Sequence, residues 1–182
     1  MQKPNEYDNV EAKVGGGDFP QPTAGGYVVK IVSAEEKLSK NGKNMLVIGV
    51  DIAEGEFAGH YAELSEKFNN DAYPKMYQLT EGDHVSYFKG LVSSIEHSNN
   101  GFKFDFDEKK LIGKRLGVNL REEEYKNKDG QIKTILKIAY ACSVEDARNG
   151  LKVLPVKPYV DKGSPAIQSA PAVAPQDSDL PF

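Results

Sequence analysis

The sequence predicts a mainly β domain, a five-stranded OB-fold barrel with a helix between strands 3 and 4, followed by a disordered C-terminal tail. Three observations carry this prediction. Four segments are β-branched or alternate apolar with polar residues, and they are joined in pairs across Asn41-Gly42 and Asp129-Gly130, dipeptides suited to tight hairpins. One intervening segment switches to helical spacing, and beyond Pro155 the composition turns to Pro, Ala, Ser, Val and Gln with few charges.

Residues 1–24 hold Gly15, Gly16, Gly17, Pro20 and Pro22 with no sustained period, and read as an extended N-terminal arm. Tyr27 to Glu35 forms the first strand and Met45 to Ala53 the second, with Leu46, Ile48, Val50 and Ile52 on a single core face. Gly55 and Gly59 break that strand. His60 to Phe68 alternates again, with Tyr61, Glu63, Ser65 and Lys67 on one side, and is expected to be the third strand. From Glu81 to His97, Val85, Phe88, Val92 and Ile95 recur three or four apart, an amphipathic helix stopped by Ser98-Asn99-Asn100-Gly101. Arg115 to Glu123 and Gln131 to Ser143 complete the set, the latter with Ile132, Leu136, Ile138 and Tyr140 on one side and Lys133, Ile135, Lys137 and Ala139 on the other. The resulting organisation is an arm (1–24), an OB-fold domain (25–154), a flexible linker (155–176) and an acidic terminal peptide (177–182).

Composition narrows the function classes. The chain has 182 residues, 39% of them hydrophobic and 27% charged, with no apolar run near the roughly 18 that span a membrane and no signal-like start, so a cytoplasmic protein is expected. Cys142 is the only cysteine, which excludes an intrachain disulfide and paired-cysteine zinc motifs and leaves a packing role. His60, His84 and His97 stand in no metalloenzyme spacing, no phosphate-binding loop of the P-loop type occurs, and Glu122, Glu123 and Glu124 read as a solvated face. Neither an enzyme nor a cofactor or metal is expected.

The formal net charge of −4 opposes nucleic-acid binding, yet the two loops that flank an OB-fold's oligonucleotide face are both basic. The first carries Lys37, Lys40 and Lys43, and the second Tyr125, Lys126, Lys128 and Lys133. The expected phosphate contacts are Lys30, Lys40, Lys43, Arg115, Arg121, Lys126, Lys128, Lys133 and Lys137. Unpaired bases also need flat rings to stack on; among 9 Tyr and 8 Phe, with no Trp, the solvent-side choices are Tyr27, Tyr61 and Tyr125, while Phe88 and Tyr140 are assigned to the core. Single-stranded DNA is the expected partner.

The chain closes on Asp177, Ser178, Asp179, Leu180, Pro181 and Phe182. This ending resembles the C-terminal peptide of bacterial and phage single-stranded-DNA-binding proteins, where acidic residues precede a terminal hydrophobic-Pro-Phe. The resemblance implies docking of replication and recombination enzymes, with Phe182 entering an apolar pocket and Asp177 and Asp179 held by basic residues of the partner. A second resemblance spans roughly Gly25 to Gly150. The strings GEFAG, NNGFKFDFDEKKLIGK and EEEY look like those of a small family from phages of low-GC Gram-positive bacteria, regarded as phage single-stranded-DNA-binding proteins. Absence of Trp and the inserted region Asn70 to Asn100 depart from the cellular bacterial family, so residue-level contacts do not carry over. Together these imply sequence-independent coating of single strands in the host cytoplasm during phage DNA replication, recombination and repair, with a homo-oligomer compatible. The alternative is an OB-fold interaction or annealing accessory whose DNA affinity is incidental.

Overall fold

The structure, a computed structural model, describes residues 20–161. Strands β1 (Gly25–Leu38), β2 (Asn44–Ile52), β3 (Lys75–Leu79), β4 (Arg115–Lys126) and β5 (Ile132–Cys142) form one antiparallel sheet in the order β3-β2-β1-β4-β5. Helix α1 (His60–Phe68) follows β2, α2 (Val85–Ser98) lies between β3 and β4, and the short α3 (Val144–Arg148) follows β5. The five-strand count and the helix between the third and fourth strands stand as the sequence predicts. Closure does not: β3 and β5 approach each other, but no hydrogen-bonded ladder joins them among the described residues, so the sheet is open.

Both predicted hairpin turns form. Gly42 and Gly130 adopt φ of +74° and +80°, a left-handed backbone that only glycine takes without cost. β1 bonds β4 through its first part and β2 through the rest, and a bulge between Ile31 and Ser33 lets it bend between the two. On the concave side Val29, Ile31, Leu46, Ile48, Val50, Leu116, Val118 and Leu120 meet Leu91 and Ile95 of α2 in one cluster. Truncating a member such as Ile95 to Ala is expected to cost about 2–5 kcal/mol. The opposite side is also covered. Val144 and Ala147 of α3 pack on Val28, and Val47 and Asp51 of β2 are buried along with Leu46 and Ile48, so β2 has two buried faces rather than the one its alternation suggests.

The third strand is a correction. His60–Phe68 is a helix, held at its start by Asp51, whose Oδ1 accepts hydrogen bonds from the backbone N–H groups of Ile52 (2.9 Å) and Tyr61 (3.0 Å). Asn69, at φ +47°, ends it. Strand three is instead the short edge strand Lys75–Leu79, where Met76 packs against the core and Tyr77 points out with 62% exposure. Tyr140 is the other correction. β5 carries a bulge opposite Asn119 and Leu120, at Ala139, so Tyr140 leaves the face of Leu136 and Ile138; it is 42% exposed, and its hydroxyl accepts from Asn119 Nδ2 at 3.0 Å. Phe88 packs against the core as expected.

Past α3 the chain turns back along β4. Lys157 N–H donates to Glu122 O and Glu124 N–H donates to Lys157 O, both at 2.9 Å, so residues on the linker side of the compositional boundary are tied to the sheet. Most of the N-terminal arm, the rest of the linker and the terminal peptide lie outside the described residues. Among the described residues no helix is long and apolar enough to cross a membrane.

Candidate nucleic-acid interface

Because β3 and β5 leave their outer edges unpaired, the sheet opens into a groove of about 1620 Å³ walled by these two strands and by α2. Tyr61, Tyr73, Tyr77, Tyr87 and Tyr140 line it, five of the chain's 9 tyrosines. Tyr77 and Tyr87 are 62% and 70% exposed, which leaves their faces open to a planar ligand. The wall beside them is fixed: Gln78 Nε2 donates to Leu79 O at 2.8 Å, and the rings of His84 and Tyr87 sit 6.4 Å apart. Charge on the lining is balanced. Lys75 is paired with Asp71 at 2.5 Å, and Lys137, which pairs with Glu123 at 3.6 Å, lines the groove together with Glu122.

The predicted aromatic contacts fall elsewhere. Tyr27 packs against the core, its hydroxyl donating to Thr23 O at 2.9 Å. Tyr61 sits on α1 rather than on a strand and is only 9% exposed; burial, with Tyr27 and Asp51 nearby, pushes its phenol up to about 12. Of the three, only Tyr125 presents a substantial face, at 40% exposure on the β4–β5 hairpin. Tyr73, Tyr77 and Tyr87 escaped the sequence reading. The alternation of Lys75, Tyr77 and Leu79 against Met76 and Gln78 is the signal that marks Tyr77 as outward.

The predicted cations divide into two groups. Lys40, Lys43, Lys126, Lys128 and Lys133 are exposed on the two hairpins and stand in no ion pair among the described residues, as does Lys30 on β1. The register places the two hairpin turns at opposite ends of β1, one after Leu38 and the other beyond the β4 stretch that pairs with Gly25. Arg115, Arg121 and Lys137 are already engaged. Glu54 accepts from Arg115 Nη1 and Arg148 Nη2, each at 2.6 Å, and the Arg148 bond chiefly holds its carboxyl below the usual range. Glu123, with a side chain 15% exposed, gathers Arg121 at 2.8 Å, Lys157 at 3.3 Å and Lys137 at 3.6 Å. Burial alone would raise the Glu123 carboxyl, but the bonds from Arg121 and Lys157 and the charges of Lys157 and Lys137 hold it below its ordinary value.

The predicted docking residues Asp177, Asp179, Leu180, Pro181 and Phe182 lie outside the described residues. No curated protein matches the chain. Residues 6–147 match the family described as protein of unknown function DUF669, and the chain belongs to that family.

Proposed function

We propose that this protein is a non-catalytic single-strand-binding protein of phage DNA replication and recombination, coating single-stranded DNA without strong sequence preference. In this reading the sheet is an OB-fold with its β3–β5 seam left open, and bases enter through that seam. The observation that carries it is the gathering of five tyrosines, two with open faces, in one groove between unpaired strand edges. Base–aromatic stacking is worth about 1–3 kcal/mol per base and is indifferent to sequence. The unpaired lysines of the two hairpins supply phosphate contacts, and the terminal residues Asp177 to Phe182 recruit replication and recombination proteins.

The balanced charge of the groove favours a second reading, an interaction or annealing accessory whose groove takes an uncharged protein segment. A titration of labelled oligo-dT at two salt concentrations, beside duplex of equal length, separates the two. Coating predicts binding that weakens steeply with salt and strong preference for the single strand. Equal affinity for duplex and single strand contradicts it and leaves the accessory reading.

A further inference from the structure

Among the described residues β5 keeps its outer edge unpaired, and that edge faces the groove. Its row of backbone N–H and C=O groups is a template for one more strand. Leu136 and Ile138 on the concave face of β5 are only partly buried, so a strand added there with an apolar side would extend the core. The chain ahead of β1 reaches the body at this same place. Gln21 and Pro22 line the groove, Pro22 is buried, and Gly25 of β1 stands level with Leu120 and, across β4, with Ile138.

The sequence ahead of Pro20 holds one segment suited to that edge. Val10, Ala12 and Val14 alternate with Glu11 and Lys13, which gives residues 10–14 one apolar side, and β3, with 5 residues, shows that so short a run suffices for a strand of this sheet. Residues 15–19 separate the segment from Pro20, a reach of about 17 Å at about 3.4 Å per residue, and three of them are glycines that set few limits on the turn. A segment tethered so closely meets the edge at an effective concentration on the order of millimolar, far above what a free peptide or a second copy offers in dilute solution. The family match opens at residue 6, so it takes in this segment together with the sheet.

We propose that residues 10–14 add to the free edge of β5 as a sixth strand and occupy the groove until single-stranded DNA displaces them. The sixth strand itself does not depend on the single-strand-binding reading; only its displacement does. Hydrogen exchange with peptide mapping tests it on the full chain, on a chain lacking residues 1–19, and on Ala12→Pro, which removes a backbone donor from the segment and leaves its charge unchanged. In both variants the groove-side amides of Ile132–Cys142 are expected to exchange about tenfold faster than in the parent, while the amides of β1 and β2 keep their rates. Oligo-dT affinity is expected to rise several-fold in both, because the competing segment is gone. Unchanged exchange of β5 in either variant, or unchanged affinity in a variant whose β5 exchanges faster, overturns the proposal. A dimer of the parent in sedimentation that dissociates in both variants also overturns it, since the segment then lies on a second copy. Faster exchange of β5 with no binding of oligo-dT by any form leaves the sixth strand standing and removes the single-strand reading instead.

Discussion

The cluster around Glu123 of β4 and the tyrosines of the groove between β3 and β5 show opposite relations between sequence and surface. In the cluster, Arg121 and Lys137 are prominent as cations in the sequence, and both are bound to one carboxylate that also holds Lys157. In the groove, Tyr77 and Tyr87 attract no notice in the sequence, yet they present open rings. A basic residue is available to phosphate only when its neighbours leave it unpaired, and the neighbours are set by cross-strand register rather than by sequence spacing. Aromatic residues next to an unpaired strand edge stay accessible, because no further strand arrives to cover them.

The sharpest way to break this contrast is to remove the rings. Tyr77→Ala with Tyr87→Ala is expected to weaken oligo-dT binding by about 2–6 kcal/mol, two stacking interactions, while the thermal midpoint stays nearly constant because both side chains are more than half exposed. Titration of the double variant beside circular-dichroism melting checks this, and an affinity loss under threefold contradicts it. Reversing charge on β5 comes next. Lys133→Glu with Lys137→Glu is expected to weaken binding about tenfold; Lys133 lies opposite Tyr125 and Lys137 opposite Arg121, away from the Leu136 face, so stability falls only by the roughly 1 kcal/mol that goes with the Lys137–Glu123 pair. Leu136→Glu, by contrast, lowers the midpoint. The reverse pattern means that the β5 register is inverted.

Glu123→Gln probes the charge cluster directly. It leaves Arg121, Lys137 and Lys157 without their shared counter-charge, so low-salt affinity for oligo-dT is expected to rise several-fold while stability falls by about 1 kcal/mol. The sign of the pH dependence follows from the lowered Glu123 carboxyl: its stabilisation is present above the ordinary value of 4.5 and is lost as pH falls through the depressed folded value. The stability gap between parent and variant therefore closes on acidification, as melting curves from neutral pH to below pH 4 will show; a gap that widens in acid contradicts the assignment. The smallest effect is expected from deleting Asp177 to Phe182, which leaves melting unchanged and oligo-dT affinity equal or slightly higher while capture of replication and recombination proteins disappears. Retention of the same partners by the truncated chain defeats the docking role of the tail.

What was legible in the sequence is what local rules decide. β-branched runs and alternation around Asn41-Gly42 and Asp129-Gly130 mark four strands, and the spacing of Phe88, Val92 and Ile95 marks α2. His60–Phe68 was misread because nine residues of mixed polarity satisfy both a period of two and one near 3.6; the arbiter is Asp51, a residue of the preceding strand that anchors the first turn. β3, at five residues, is too short to announce itself. Tyr140 escaped because one bulge at Ala139 exchanges the faces of everything after it, and a bulge leaves no reliable mark in composition. The engagement of Lys137 escaped because it depends on a carboxylate of the neighbouring strand, two register positions from its cross-strand partner, and on Lys157, a residue the composition assigns to the linker.

The central claim, that bases enter between β3 and β5, is tested most directly by ultraviolet cross-linking of oligo-dT to the intact protein followed by peptide mapping. The account predicts adducts concentrated on the peptides that contain Tyr77, Tyr87 and Tyr140, lost when unlabelled single strand competes and retained in the presence of duplex. Adducts confined to the peptides around Glu123 and Arg148, or equal competition by duplex, contradict it.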